Sequence, residues 1–380
     1  MTYQSRRELL KAVWKRYRKA ERDEKSLILD ELCENTGMHR KYLIQLLNKP
    51  KDALSRQGRR PRGPTYDETV MAVIKEVWEA AGHPWSERLK AMLSLWMPWI
   101  NRKFPHLTPK QHEQLLRISA RQIDRRLKES RRAHKRNLFN HTKPGALLKR
   151  HIPVRTDNWD ILEPGFVEID LVAHCGPCAS GEFIYSLNLT DLETQWVETR
   201  AVMGKGETGT VQALKHLRDR LPFALRGIDS DNGSEFINYH LYGYCQKEHI
   251  QFTRGRPYMK NDNAHIEQKN WTHVRKILAW DRYDSPEALE AINELYCHEL
   301  SIMMNLFQPV VKLIEKRRVG NKVKRVYDAP QTPLDRLAAR YKRPPKAVRE
   351  LLALRERIDP FELAERIEIR LKAIYELRRK

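Results

Sequence analysis

The stretch FVEIDLVA, residues 166–173, is the part of the sequence that decides the fold. Apolar and polar residues alternate through it, and this alternation is typical of a β-strand with one face in a core. One of its polar positions is Asp170, toward the carboxyl end of the run. The pattern therefore predicts a strand that presents a carboxylate from a rigid element.

Two further carboxylates follow in patterned segments. The segment IDSDNGSEF, residues 228–236, comes after a short apolar run and places the turn signal Asn-Gly directly after Asp231. Glu267 lies 36 positions later, near the start of a helix predicted over residues 263–279. Carboxylates on rigid elements can hold two divalent cations about 3.5–4 Å apart. Their hard oxygen ligands favour Mg²⁺ or Mn²⁺ over zinc.

These three segments, in this order and on these elements, resemble the DDE transposase and retroviral integrase superfamily. The resemblance covers residues 150–300 and depends on Asp170, on the segment SDNGSEF at 230–236, and on Glu267. It implies a ribonuclease-H-like fold, catalytic and metal-binding roles for Asp170, Asp231 and Glu267, and two bound Mg²⁺ or Mn²⁺ ions. It also implies DNA cleavage followed by transfer of a 3′-OH end into target DNA.

Charge is unevenly distributed along the 380 residues, whose formal net charge is +22. Residues 1–150 contain 35 Lys and Arg against 16 Asp and Glu, whereas residues 151–300 contain 15 against 23. Residues 301–380 are basic again, with 21 against 10. Basic flanks attract phosphate backbones, and an acidic middle suits a cation site. The pattern indicates a polyanion as the partner, and the resemblance implies double-stranded DNA, both as element ends and as target.

The remaining composition indicates the setting. Five scattered cysteines argue against a disulfide framework. The amino terminus lacks an apolar signal region, and no apolar run is long enough to cross a membrane. We expect a cytoplasmic protein without a membrane partner. The resemblance implies a bacterial, nucleoid-associated protein that forms a homo-oligomer on DNA, because two ends must be joined.

The order of predicted elements indicates a multidomain α plus α/β protein. Three strands (166–173, 182–189 and 195–202) are followed by a helix (207–220), a strand (225–230), a helix (234–247) and a strand (250–253). This is the order of a ribonuclease-H-like mixed sheet. The predicted divisions are a helix-turn-helix domain at 1–50, a basic linker at 51–66, a second helix-turn-helix-like domain at 67–139, the integrase-like catalytic core at 150–300, and a small basic carboxyl-terminal region at 301–380.

Two helical segments ahead of the core resemble DNA-reading motifs. In the first, a glycine turn at residues 34–38 precedes a basic helix from His39 to Leu47. In the second, a helix over residues 88–97 is expected to end at Pro98. Thr108 caps a helix over residues 108–116, and Ser119 caps a basic helix. An ordinary three-helix bundle remains the alternative for the first. The predicted DNA contacts in these segments are His39, Arg40, Lys41, Arg121, Gln122, Arg125 and Arg126.

Other basic positions are predicted to lie near DNA. The linker mixes Arg59, Arg60 and Arg62 with glycine and proline, which suits a minor groove or a solvated linker equally. The resemblance implies a mobile loop before Glu267, and there the candidates are Arg254, Arg256, Tyr258, Lys260 and, beyond it, Lys269. Two basic strands, predicted at residues 310–314 and 322–327, lie around Gly320. They suggest, by the same resemblance, an accessory element that contacts DNA.

Several rival interpretations remain open. Asp229, two residues before Asp231, competes for its role, and Asp191, Glu235 and Asp262 are weaker rivals. Cys175 and Cys178, in the order Cys-Gly-Pro-Cys, have the spacing of half a zinc site, but the other cysteines offer no second pair, so a hairpin turn is favoured. The whole protein could also be a ribonuclease-H-like nuclease without strand transfer, or a DNA-binding regulator with an inactive core.

Overall fold

The computed structural model describes residues 1–50, 66–133, 163–230, 236, 238–254, 264–319 and 322–379. They belong to two compact units, Met1–Asp67 and Glu68–Lys380, and each is considered by itself. Within the described ranges, none of the helices is both long enough and apolar enough to span a bilayer.

The described residues of the first unit form three helices around one apolar core. They are α1 (Tyr3–Lys19), α2 (Arg22–Thr36) and α3 (Arg40–Leu47). Leu10, Ile28, Leu32 and Leu43 are buried between them. Gly37 ends α2 with a φ of 65°, a left-handed conformation that costs glycine little. The predicted helices are therefore present, and their use as a helix-turn-helix stays a prediction.

The second unit begins with six helices. They are α4 (Glu68–Ala80), α5 (Ser86–Leu95), α6 (Met97–Lys103), α7 (Pro109–Arg117), α8 (Ala120–Arg126) and α9 (Lys128–Ala133). Thr108 and Gln111 form the capping box of α7, and Ser119 caps α8 as predicted. Pro98 was expected to end a helix over 88–97, but it lies in the first turn of α6. Proline suits a first turn because that turn needs no N–H donor.

A mixed sheet of five strands forms the centre of this unit. Its strands are β1 (Phe166–Ala173), β2 (Ile184–Asp191), β3 (Val197–Met203), β4 (Gly227–Ser230) and β5 (Gln251–Arg254). The order is β3-β2-β1-β4-β5. The first three strands pair antiparallel, whereas β4 pairs parallel with both β1 and β5. The predicted mixed five-stranded sheet is thus confirmed.

Helices cover both faces of the sheet. On one face α10 (Glu207–Arg220) and α11 (Tyr239–Lys247) contribute Leu214 and Leu241 to a core with Val167 and Ile169 of β1. On the other face α14 (Pro286–Leu295) packs Ile292 and Leu295 against Ile184 and Ala201. Because successive side chains of a strand point to opposite faces, Glu168 and Asp170 lie on the second face.

The helix predicted over 263–279 is divided in the structure. It consists of α12 (Ala264–Lys269), a π-helical segment π1 (Asn270–Arg275) and α13 (Lys276–Leu278), and it stops at Ala279 with a φ of 56°. Likewise α14 is followed by π2 (Tyr296–Leu300) and, after two residues, π3 (Met303–Phe307). Apolar periodicity does not distinguish α from π turns, so the sequence predicted continuous helices.

Strand β3 lies at an edge of the sheet, where backbone groups lack a strand partner. Two asparagine side chains replace that partner. Asn305 accepts from the Val197 N–H at 2.9 Å and donates to the Val197 carbonyl at 2.8 Å. Asn293 does the same for Ala201, at 2.8 and 3.1 Å. The edge is therefore closed by side chains from α14 and π3.

The carboxyl-terminal region adds a hairpin and three helices. These are β6 (Leu313–Val319), β7 (Lys322–Tyr327), α15 (Pro333–Ala338), α16 (Lys346–Arg357) and α17 (Pro360–Glu376). The first strand was predicted at 310–314 and lies further along. Trp96, the C-cap of α5, donates to the Phe307 carbonyl at 3.2 Å and contacts the ring of Phe361 edge-on. The helices from 68 onward thus share one compact unit with the carboxyl-terminal residues.

We expect Asn305→Ala to lower the free energy of unfolding by about 2–4 kcal/mol, because it leaves the buried N–H and carbonyl of Val197 without partners. Urea unfolding followed by circular dichroism measures this. Asn293→Ala is the matched comparison, and since Asn293 is only half-buried it should cost less. An Asn305→Ala midpoint equal to the parent's would contradict the assigned role.

Candidate active site

Asp170 is held where β1 meets the start of the 264–278 helical stretch. Asn270 Nδ2 donates to Asp170 Oδ2 at 2.6 Å, and the Leu171 N–H donates to Asp170 Oδ1 at 2.8 Å. The side chain is half-buried. Both carboxylate oxygens therefore accept hydrogen bonds, which fix the orientation of the side chain.

The neighbouring residue of β1 on the same face holds α12. Glu168, which is 1% exposed, accepts the Ile266 N–H at Oε2 at 3.0 Å. This bond lies at the first turn of α12, where a carboxylate satisfies a donor that has no partner within the helix. It brings the helix that contains Glu267 against β1. The backbone of Glu267 belongs to α12, and its side chain is outside the description.

Asn270 joins the two elements, and sequence reasoning missed it. Besides its bond to Asp170, its Oδ1 accepts from Asn188 Nδ2 at 2.9 Å, and Asn188 Oδ1 accepts from Thr199 at 3.4 Å. Asn188 is fully buried and opposite Asp170 in the β1–β2 register. The position of Asn270, three residues after Glu267, was the available signal, since residues three apart share a helix face.

The pairing of β1 with β4 shows where the strand that precedes Asp231 ends. Ile169 of β1 is opposite Ser230, the last residue of β4. The next residue in β1 is Asp170, and the next residue in the chain after Ser230 is Asp231. Asp231 itself lies outside the described residues, so its role stays a prediction.

The rival carboxylates that the structure describes have internal partners. Asp229 is fully buried and accepts from the Thr253 hydroxyl at 2.6 Å. Asp191 is also fully buried and accepts from the Gly165 and Thr194 N–H groups at 2.8 and 2.7 Å. Burial raises the pKa of Asp191, which those hydrogen bonds oppose. Both positions are structural in character. Glu235 and Asp262 lie outside the described residues.

A divalent metal fits the donor chemistry of Asp170, which is a half-exposed carboxylate on a strand. Among the residues that the structure describes, no three His, Cys, Asp or Glu side chains form a group able to hold a metal ion. Two of the three predicted ligands, Asp231 and the side chain of Glu267, are not within that set.

The predicted DNA contacts of the helical segments are partly exposed. His39 caps α3 by accepting the Lys41 N–H at Nδ1, and both side chains are exposed. Arg40 instead binds Asp30 and the Ser26 hydroxyl within the unit. In α8 the exposed positions are Arg121, Arg125 and Arg126, whereas Gln122 is half-buried.

The predicted contacts near the core divide into two groups. Arg256, Tyr258 and Lys260 lie outside the described residues, as do Arg59, Arg60 and Arg62 of the linker. Lys269 and Arg254 are buried, 3% and 7% exposed, so the phosphate contacts predicted for them are corrected to positions inside the fold. Lys269 Nζ donates to the Gln195 carbonyl at 3.3 Å. Burial, together with Arg88 and Arg336, lowers the pKa of Lys269 to about 7.

Comparison with known proteins gives one extended relative. No family model matches the chain. The uncharacterized protein y4rM of Sinorhizobium fredii is 36% identical over 336 residues, which are 87% of this chain and 95% of the relative. This chain belongs to the y4rM family. The match covers nearly the whole length of both proteins. Because the relative is itself uncharacterized, membership in the family assigns no activity to this chain.

Solved structures similar to this y4rM-family protein include retroviral integrase catalytic cores. The core domain of HTLV-2 integrase in complex with magnesium is 14% identical and has a TM-score of 0.30, covering 39% of this chain and 92% of its own. The BIV integrase core is 14% identical with a TM-score of 0.31, covering 45% and 91%. TM-scores this low support no conclusion about this chain, whose fold is described by its own strand order and register.

We expect Lys269→Met to raise the free energy of unfolding by roughly 2–4 kcal/mol at pH 7, since a pKa unit corresponds to about 1.4 kcal/mol. The pKa of Lys269 is lower in the folded protein than in the unfolded chain. The free-energy cost of burying the charged amine is therefore greatest below about pH 7, and it falls as the pH rises toward 10.5. The advantage of Lys269→Met over the parent should shrink over that range. Urea unfolding at pH 6.5 and pH 9.5 measures it.

DNA affinity supplies the control for this variant. Lys269→Met should bind DNA as the parent does, because the amine is not exposed. A large loss of affinity together with unchanged stability would restore the phosphate contact predicted from the sequence.

Proposed function

We propose that this y4rM-family protein is a DDE-type polynucleotidyl transferase that cuts the ends of a mobile DNA element and joins the 3′-OH ends to target DNA. The proposal depends on one observation: two other elements of the fold meet β1 at Asp170. The strand β4 that precedes Asp231 ends beside it, and the helix of Glu267 is tied to it by Asn270. The strand that precedes Asp231 and the helix that contains Glu267 thus both lie beside Asp170.

Each residue has a distinct part in the proposed site. Asp170 is supplied by β1, Asp231 by the segment after β4, and Glu267 by α12. Together they would hold two Mg²⁺ or Mn²⁺ ions, which when bound activate the attacking oxygen and stabilise the leaving oxygen of a phosphodiester. Asn270 orients Asp170 by donating to one of its oxygens. A protein nucleophile is not required, because water and then the DNA 3′-OH attack directly.

Asp170→Asn should reduce metal-dependent cleavage by about 1,000-fold or more, since it removes a charge that several kcal/mol of transition-state stabilisation depend on. Binding of DNA ends should change little. The assay uses duplexes carrying the DNA that flanks the gene, with Mg²⁺ or Mn²⁺, and measures both nicking and joining to a plasmid. Asp219→Asn, at an exposed position of α10, is the matched control and should keep parent activity.

The same assay separates the alternatives. Cleavage that survives in Asp170→Asn would contradict the assignment of Asp170. Cleavage by the parent without any joining would favour a ribonuclease-H-like nuclease. A parent that binds the flanking DNA and never cuts it with either metal would favour a regulator with an inactive core.

The β6–β7 hairpin supports a DNA partner independently of the acidic residues. Arg317 is directly opposite Lys324, and Lys316 is opposite Arg325. Like charges opposite each other destabilise a hairpin. The side chains of Arg317, Arg318, Lys324 and Arg325 are exposed, although Arg317 is partly neutralised by Glu315 at 2.7 Å. A two-stranded ribbon fits the major groove of duplex DNA, whose phosphates would offset the repulsion.

Replacing Arg317, Arg318, Lys324 and Arg325 together by glutamine should weaken binding to duplex DNA of any sequence. The slope of log affinity against log salt is negative, and each lost phosphate contact makes it shallower by about 0.9, so we expect its magnitude to fall by about 2–4. Fluorescence anisotropy at salt concentrations from roughly 50 to 200 mM measures this slope. The matched control replaces the exposed Lys90, Lys110, Lys247 and Lys342 by glutamine, with the same charge change. Equal slopes for the two variants would remove the hairpin from the DNA interface.

A further inference from the structure

The turn that joins β1 to β2 contains two cysteines within one tight bend. Cys175 and Cys178 flank Gly176 and Pro177, and both thiols are free. Cys178 is exposed and Cys175 is half-buried. Gly176 has a φ of 60°, and a Cβ there would lie 2.9 Å from the Cβ of Arg282. The bend is therefore packed closely against Arg282, and its shape depends on glycine.

The side chain of Arg282 donates hydrogen bonds to three carbonyl groups of the turn. Its guanidinium donates to the carbonyl of Cys178 at 2.8 Å, to that of Ser180 at 3.0 Å and to that of Glu182 at 3.2 Å. Its Nε donates to Asp284 at 2.7 Å, and Arg379 donates to the same carboxylate at 2.8 Å. Two guanidinium groups and one carboxylate consequently stand beside the Cys178 thiol.

Cys178 lines an open pocket, and its sulfur has a local hydrogen-bond partner. The pocket has a volume of about 690 Å³ and is lined by Cys178, Ser180, Arg282, Asp284 and Arg379, among others. The Ser180 hydroxyl lies 2.9 Å from Cys178 Sγ. Hydrogen bonding from Ser180, then the charges of Arg282 and Arg379, lower the pKa of the Cys178 thiol. A thiol that is exposed, hydrogen-bonded and beside cations is the reactive kind.

Cys245 provides the contrast inside the same chain. It is fully buried in the core of the sheet, and burial raises the pKa of its thiol to about 12. Buried thiols of this kind are inert. The protein thus contains a reactive and an unreactive cysteine in one compact unit.

We propose that Cys178 is an oxidation-sensitive thiol and that Cys175 is its resolving partner. The Cys178 thiolate attacks a hydroperoxide, its sulfur takes one oxygen, and the O–O bond breaks to release water or an alcohol once a proton is added. The Cys175 thiol then attacks the sulfenic sulfur, an S–S bond forms, and water leaves. Two thiols are oxidised and one hydroperoxide is reduced. Reactive sensor thiols are commonly placed beside a resolving cysteine in this way.

The site lies where three parts of the second unit meet. Arg282 pairs through its backbone with Cys175 on one side and with Arg379 on the other. It follows the helical stretch that begins with α12. The disulfide would therefore form in a turn that is bonded both to the segment after that stretch and to the chain's last residues. This assignment does not depend on the proposed polynucleotidyl transfer.

Alkylation of the full-length native protein with iodoacetamide, followed by peptide mass spectrometry, is the first test. We expect Cys178 to react at least about tenfold faster than the half-buried Cys33 and Cys297, and Cys245 to stay unmodified. Ser180→Ala should slow the reaction of Cys178, whereas Ser130→Ala, a serine outside the turn, should not. Alkylation of Cys178 at the rate of Cys33 would overturn the proposal.

Treatment with hydrogen peroxide is the second test. In the parent, the peptide that contains both cysteines should lose two hydrogen atoms and regain them with dithiothreitol. Cys175→Ser should instead accumulate a sulfenic acid at Cys178 that dimedone traps, and Cys178→Ser should form neither product. Irreversible oxidation of Cys178 in the parent without a disulfide would show that Cys175 does not resolve it and would overturn the pairing.

Discussion

Alternation along β1 sends Val167 and Ile169 into the core beneath α10 and α11, and sends Glu168 and Asp170 toward the opposite helical layer. A shift of one residue would exchange the two sets and bury two carboxylates in an apolar core. The register is therefore fixed by the cost of that exchange. The same alternation that stabilises the sheet places an acidic residue at the contact with α12.

The contact between β1 and the 264–278 stretch is polar at each step. Glu168 binds the amide of Ile266, and Asp170 binds the side chain of Asn270 one turn later. The change from α to π geometry begins at Asn270. π-helical turns inside helices are frequent at functional sites. Here the turn starts at the residue that contacts both Asp170 and Asn188, so the local geometry and the polar contacts coincide.

Some acidic residues of the segment 151–300 form ion pairs within the fold, which composition does not show. Glu193 is 3% exposed and forms ion pairs with Lys312 and Arg340 of the carboxyl-terminal region. Glu198 is buried beside Arg220, and burial raises the pKa of its carboxyl. Part of the negative charge in the middle segment therefore balances cations inside the fold. Only part of it was available for the cation site that the charge pattern predicted.

The sequence by itself determined the elements whose signals are local. Period-two alternation gave β1 at residues 166–173, and the helix over 207–220 was predicted with the bounds that the structure has. Ser119 and Thr108 marked helix starts because a cap acts within one turn. Signals that span a few residues are written in the sequence itself, and these were interpreted correctly, whereas Pro98, expected to end a helix, lies in the first turn of α6.

Tertiary structure alone decided which distant residues meet. The burial of Lys269, the asparagines that close the edge of β3, and the bond from Asn270 to Asp170 all depend on contacts between residues 70 to 110 positions apart in the chain. A charged or amide side chain has the same identity whether it faces solvent or a core, so its role follows from the packing around it. That is why the acidic candidates could be named from sequence, whereas the residues that hold and surround them could not.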